Sequence, residues 1–172
     1  QLAQRDALSV AQALRTLNAL VERFPDLADI RASLALAHLL DADSQYGETP
    51  VAQAAELARP HIDRALELAP DLPEAAAADG LAALLERRWD TAQARLAVAT
   101  ELLPGRGEYW SWLALARDGA GDVIGARRAL TRAIELDPLS PVVMSAYVEA
   151  FAEADPDAAR AAAQRYARAR PD

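Results

Sequence analysis

The chain has 172 residues, enough for one ordinary domain or a short array of repeats. Alanine accounts for 43 residues, lysine and cysteine are absent, and 18 arginines stand against 26 carboxylates for a formal charge of −8. This acidic balance disfavours nucleic-acid binding, and the lack of cysteine excludes a disulfide framework, a thiolate nucleophile and a cysteine zinc site.

No membrane insertion is expected of this segment. A transmembrane helix needs roughly 20 consecutive apolar residues, whereas the longest uncharged apolar stretch, Ala32 to Leu40, has about nine. The chain opens without methionine and has no signal pattern, so we expect a fragment of a longer protein. Its alanine and arginine bias is typical of bacteria, and the pattern leaves cytoplasm and periplasm open, with the cytoplasm favoured.

Apolar residues recur with helical spacing along the chain, and turn residues separate the recurring groups. The first stripe, formed by Leu14, Leu17, Val21 and Phe24, ends at Pro25 and predicts a helix at the start of the array. The whole pattern predicts about nine helices. Their expected bounds are 4–24, 28–40, 50–69, 73–86, 89–102, 108–118, 122–136, 141–153 and 157–169.

An insertion separates the second and third predicted helices. About 11 extra residues lie near 41–51, in a stretch rich in turn formers. We interpret it as an exposed loop followed by an extended helix from Pro50. A loop that contacts a ligand or fills a groove is the alternative. Pro60 falls inside the extended helix and predicts a kink or a restart there.

A repeat of 34 residues organises the chain. Pro70, Pro104 and Pro138 lie 34 residues apart, and each ends a predicted helix because proline cannot donate into the helical ladder. Alanine and branched residues recur with the same step, four and three residues apart within each unit, so they share one helical face. The recurring sets are Ala58, Ala92 and Ala126; Ile62, Leu96 and Leu130; and Ala65, Ala99 and Ala133.

These residues resemble the signature of the tetratricopeptide repeat family. The best unit runs from Gly107 to Ser140 and carries the signature in order. It consists of Trp110, Leu113-Ala114, Gly121-Asp122, Ala126, Leu130, Ala133 and Leu136-Asp137-Pro138. The resemblance implies an all-α fold, a right-handed α-solenoid of antiparallel helix pairs with about nine helices.

The resemblance also implies one repeat domain over 1–172. We expect a partial repeat or cap helix first, then a repeat that carries the insertion, two regular repeats and a degenerate terminal repeat. Their expected bounds are 1–24, 25–70, 71–104, 105–138 and 139–172.

In the tetratricopeptide repeat family the first helix of each unit lines a concave groove. For this sequence the resemblance implies an apolar groove suited to a peptide or an amphipathic helix of a protein partner. Internal filling of some of its leucines is the alternative. The candidate groove residues are Leu36, Leu39, Leu40, Leu81, Leu84, Leu85, Ser111, Trp112, Leu115 and Glu149.

A protein-interaction scaffold without enzymatic activity is the leading interpretation. Residues 65–75 and 132–143 resemble repeat regions attached to bacterial winged-helix transcriptional regulators and class III adenylate cyclases, which implies a regulatory module as the first alternative. A periplasmic assembly factor is the second alternative. The sequence leaves the partner's identity and the oligomeric state open.

No catalytic, cofactor or metal site is predicted. His38 and His61 could approach each other across one helix pair, but zinc would need further ligands. Asp79 stands at a core-facing position where the resembled family usually has leucine, and a buried carboxylate is costly unless it is paired. Arg117 of the next first helix is the predicted partner. A real pair predicts clear loss of stability in Asp79→Leu, and a tolerated residue predicts little change.

Overall fold

A computed structural model describes residues 7–42 and 49–169. Within those residues the chain forms nine helices and no strand, which confirms the predicted all-α class of antiparallel helix pairs. The ends of the predicted first and last segments, 1–6 and 170–172, lie outside the described residues. The helices are α1 (Ala7–Arg23), α2 (Ala28–Leu40), α3 (Val51–Leu68), α4 (Pro73–Leu85), α5 (Trp89–Leu102), α6 (Gly107–Gly119), α7 (Val123–Leu136), α8 (Pro141–Phe151) and α9 (Pro156–Ala169).

Local sequence explains where the helices begin. Pro73 and Pro141 occupy the first turns of α4 and α8, where a missing N–H costs nothing. Asp122 caps α7 by accepting a hydrogen bond from Gly125 N at 2.9 Å, and Ser140 caps α8 through Val143 N at 3.3 Å. Each cap satisfies a backbone N–H group that has no partner within its own helix.

The turns within two helix pairs share one backbone feature at the repeat spacing. Gly121, between α6 and α7, has φ +86°, and Arg87, between α4 and α5, has φ 58°. The two residues are 34 positions apart. Glycine adopts this left-handed conformation without cost, whereas arginine adopts it under steric strain.

The chain divides into two compact units, one ending at Leu102 and the other starting at Leu103. In unit 1, α2 pairs with α3 and α4 pairs with α5, while α2 also packs against α1 and α4. Ala58, Ile62 and Ala65 of α3 are fully buried, and Ala65 lies in one cluster with Ala32 and Ala75. The predicted alanine face is therefore core, because alanine lets neighbouring helices approach closely.

In unit 2, α6 pairs with α7, α8 packs against α7, and α9 packs against α8. The buried face of α7 includes Ala126, Leu130 and Ala133, as the repeat predicts. Arg127 joins α7 to the end of α8 by donating from Nε to Ala150 O at 3.0 Å. The last carbonyl groups of a helix lack partners within it and carry partial negative charge, so an arginine stabilises them by donating hydrogen bonds.

The predicted insertion leaves and rejoins the helices at one point. Thr49 N donates to Asp41 O at 3.2 Å, and the Thr49 hydroxyl donates to the Asp41 carboxylate. Residues 43–48 of the insertion lie outside the described residues. The helix that follows, α3, runs through Pro60 as one helix, so the predicted restart is wrong. Proline is tolerated there because Pro60 is exposed and costs one backbone hydrogen bond.

Candidate interaction surface

The first helices of unit 1 present a partly open apolar surface. α2 and α4 pack side by side, and Leu36 on α2 and Leu84 and Leu85 on α4 are half-buried. Each of these side chains therefore keeps apolar area in contact with water. A partner that covered this area would gain roughly 25 cal/mol for each Å² removed from solvent.

Five of the predicted groove residues are buried, so little of their surface is open to a partner. Their helices are rich in alanine, and alanine methyls alone leave space that larger side chains of the same helix fill. The Ser111 hydroxyl donates to Glu108 O at 2.8 Å, and the Trp112 ring stacks on Tyr109 with centroids 5.7 Å apart. The buried residues are Leu39, Leu40, Leu81, Ser111 and Trp112.

In unit 2 two predicted groove residues face solvent. Leu115 on α6 is 49% exposed, and Glu149 on α8 is exposed. Leu115 is a large apolar side chain, so its exposure is the more informative of the two. Their role in binding stays a prediction.

Asp79 is a buried carboxylate whose ion pairs link three helices. Its residue is 7% exposed. Arg59 Nη1 of α3 binds Asp79 Oδ1 at 2.8 Å, and Arg95 Nε of α5 binds Oδ2 at 2.9 Å. Each oxygen of the Asp79 carboxylate, on α4, therefore has a charged donor. Burial lowers the pKa of the Arg59 guanidinium, but the hydrogen bond and charge of Asp79, together with other carboxylates, leave that pKa raised.

The prediction that Arg117 pairs with Asp79 is wrong. Arg117 Nη1 instead donates to Gly125 O of α7 at 3.2 Å. The prediction took the partner from the next first helix, whereas the partners lie on the second helices that precede and follow α4. The sequence signal that was missed is an arginine in each neighbouring second helix, Arg59 and Arg95, placed to reach Asp79.

His38 and His61 meet across α2 and α3, as predicted. Their rings stack with centroids 6.2 Å apart and an interplanar angle of 12°, and Arg31 Nη1 lies 3.4 Å from His61 Nδ1. Burial lowers the pKa of both imidazoles. The charge of Arg31 and then that of His38 lower the pKa of His61 further, whereas Asp41 partly offsets the effect on His38. Neutral rings can stack here without mutual repulsion.

Comparison with solved structures identifies the fold. MamA from Desulfovibrio magneticus RS-1 has a TM-score of 0.64 and 19% identity, over 95% of this chain and 89% of that chain. A thermophilic TPR protein from Thermus thermophilus has a TM-score of 0.66 and 23% identity, over 83% and 73%. PilF from Pseudomonas aeruginosa has a TM-score of 0.70 and 19% identity, over 95% and 70%. This is a tetratricopeptide repeat fold.

The sequence comparisons add no closer relative. No family model matches the chain, and no curated protein matches it significantly. The resemblance to winged-helix regulators and adenylate cyclases is not shown.

Metal clusters and membrane-spanning helices are both absent from the described part of the chain. Among residues 7–42 and 49–169, no group of three or more histidine, aspartate or glutamate side chains is placed to hold a metal ion. Over the same residues, no helix combines the length and the apolar character that crossing a membrane requires.

Proposed function

We propose that this tetratricopeptide repeat chain is a scaffold that binds a peptide or helix of a partner protein along its first helices. The observation that carries the proposal is the pair α2 and α4, which lie side by side and leave Leu36, Leu84 and Leu85 half-buried. Two adjacent helices with leucines at their open faces form a seat for an apolar or amphipathic segment.

The composition supports the same kind of partner. Leucines that are half-open in the free chain become anchors when a partner covers them. The absence of lysine and the formal charge of −8 favour a segment that combines apolar residues with basic ones. A regulatory module of a larger signalling protein and a periplasmic assembly factor stay alternatives, and the sequence that flanks the chain in its gene decides between them.

Site-specific photo-crosslinking in the native host tests the proposal. A photoreactive amino acid replaces Leu84, or in a second experiment Leu36, in the full-length protein. Leu57 of α3 is the matched control because it is also a leucine, is 43% exposed and belongs to a second helix. We expect one protein, identified by mass spectrometry, to crosslink at positions 84 and 36 and not at 57.

Leu36→Ser should then abolish crosslinking from position 84, and Leu84→Ser should abolish crosslinking from position 36. Leu57→Ser should leave both crosslinks intact. Helical circular dichroism checks that all three variants stay folded. Equal crosslinking at 57 and 84, or no protein crosslink at either first-helix position, would overturn the proposal.

A further inference from the structure

The two histidines of the chain meet at one contact between helices in unit 1. His38 on α2 and His61 on α3 are both half-buried, and their rings stack with centroids 6.2 Å apart. The sequence contains no third histidine and no cysteine. Imidazole is the side chain that ordinarily takes up a proton just below neutral pH, so this uptake is confined to the contact between α2 and α3.

Arg31 determines which nitrogen of His61 carries the ring proton. Its Nη1 lies 3.4 Å from His61 Nδ1. A guanidinium group has N–H donors and no acceptor, so Nδ1 accepts this hydrogen bond through its lone pair and the ring proton is assigned to Nε2. A second proton on Nδ1 would set N–H against N–H, and the hydrogen bond would become a repulsion between two cations.

The same arginine is fixed from its other side. Arg31 Nε donates to Pro25 O, in the turn between α1 and α2. The guanidinium thus connects this turn and α2 with α3. Because the bond to Pro25 restrains the guanidinium beside the ring, a charged His61 would have to move away from α2 to escape the repulsion.

Burial and neighbouring charges act on the two rings in different ways. Burial lowers the pKa of both imidazoles below their ordinary value. The charge of Asp41 partly offsets this for His38, whereas the charges of Arg31 and then of His38 lower the pKa of His61 further. A second proton therefore enters the cluster at a ring that has cationic neighbours.

The other charges on the helices packed here are engaged elsewhere or lie apart from the rings. Arg64 of α3 donates to Asp26 at 2.7 Å. Arg59 of α3 pairs with Asp79 and Asp63, at 2.8 and 3.9 Å. Within residues 7–42 and 49–169, no other charged residue of α1 to α4 forms an ion pair with either ring. On the helices that flank the pair these residues are Arg15, Glu22 and Arg23 of α1 and Glu74 of α4.

We propose that His38, His61 and Arg31 form a pH switch, in which proton uptake by the two rings below neutral pH separates α3 from α2. At higher pH the stacked neutral rings and the bond to Arg31 join the helices, and at lower pH like charges repel across the same contact. α2 also carries Leu36, so opening would change one side of the proposed leucine surface. That consequence alone rests on the proposed function, and the opening itself is a property of the chain.

The direction of the pH dependence follows from the lowered pKa of each ring. In the opened state the rings bind protons at their ordinary pKa of about 6.5, and in the closed state they bind them only at lower pH. The opened state therefore holds more protons in that range. The closed state loses stability as the pH falls below about 6.5, and pH has little effect through this cluster above it.

Hydrogen exchange of backbone amides, followed by NMR without denaturant, tests the switch on the chain alone. After correction for the chemical exchange rate, protection of the α2 and α3 amides should fall about tenfold between about pH 6.5 and 5.5, which corresponds to uptake of about one proton. The amides of α6 and α7 are the internal control, because unit 2 contains no histidine. Their protection should stay constant.

A double variant removes the proton acceptors. His38→Gln with His61→Gln keeps polar side chains that stay neutral, so protection of α2 and α3 should become independent of pH over the same range. Circular dichroism near neutral pH checks that this variant is folded.

Two single variants test the charges around the rings and do not depend on the double variant. NMR titration of the ring signals measures both pKa values. Arg31→Gln should raise the pKa of His61, and Asp41→Asn should lower the pKa of His38. A pair of rings that only fills space would not respond in these opposite directions.

Constant protection of α2 and α3 across the range would overturn the proposal, and so would an equal fall in α6 and α7. Dependence on pH that persists in the double glutamine variant would assign the effect to carboxylates instead. An unchanged pKa of His61 in Arg31→Gln would remove the repulsion on which the switch depends. Because exchange is measured without a partner, these results and the crosslinking at Leu84 can fail independently of each other.

Discussion

Asp79 illustrates how one charged residue can stand in a core that consists mainly of alanine and leucine. Its two arginine partners have side chains 36% and 52% exposed, while its own side chain is 10% exposed. The arginines can therefore turn to water if the carboxylate is lost. The carboxylate has no such route if the arginines are lost, so the two kinds of substitution should differ in cost.

At this residue scale we predict an asymmetry in the free energy of unfolding. Arg59→Leu with Arg95→Leu leaves a buried carboxylate unpaired and should cost about 3 kcal/mol. Asp79→Leu should stay within about 1 kcal/mol of the original chain even though the ion pairs are real, which revises the loss expected from the sequence, because leucine fills the site and both arginines remain partly hydrated. Urea unfolding, followed by circular dichroism, measures both values.

The triple variant, which combines Arg59→Leu, Asp79→Leu and Arg95→Leu, is the control for packing. It should recover most of the stability that the double arginine variant loses. If Asp79→Leu costs as much as the double variant, the carboxylate stabilises the fold through contacts other than those two ion pairs.

At the scale of helices, α4 and α5 approach each other closely at Gly80. A Cβ atom at this position would lie 2.6 Å from Leu96 Cγ and 3.1 Å from Leu96 N. Glycine thus lets α5 pack directly on the backbone of α4. The repeat pattern places Leu96 on the buried face, and only the structure shows which partner it covers.

Gly80→Ala should therefore destabilise the chain by about 1 to 2 kcal/mol, measured by urea unfolding. Overpacking of the α4–α5 contact outweighs the gain in helix propensity that alanine brings. Gly105→Ala is the matched control, since nothing lies within 4 Å of its Cβ position, and it should be neutral or slightly stabilising. A stabilised Gly80→Ala variant would mean that Leu96 can move aside freely.

For the molecule as a whole, periodicity and proline spacing were sufficient to predict the helices. Proline and turn residues end helices through local effects, so the bounds of α2 and α5 agree with the prediction and the other bounds differ by at most two residues. The predicted start of the first helix, at residue 4, lies outside the described residues. The division into repeats stays a prediction. Burial of Leu39, Leu81 and Trp112 was not predictable in the same way, because it depends on how much space neighbouring alanines leave.

At the same scale, the charge of −8 with no lysine predicts weak interaction with nucleic acid. Fluorescence anisotropy with a short labelled DNA duplex at about 150 mM salt should show no binding in the micromolar range, about 10⁻⁶ M. Lower salt should not reveal binding, because weaker screening strengthens the repulsion between like charges. Binding that increases at low salt would indicate a basic face that the net charge conceals.

The closure of the insertion by Asp41 and Thr49 has a consequence for how such a chain can change. Because the two ends of the added segment meet, its length is uncoupled from the spacing of α2 and α3. Segments of other lengths and sequences could be grafted between these two residues while the helices keep their register. This junction is thus a place where evolution or engineering can exchange a surface loop without redesigning the repeats.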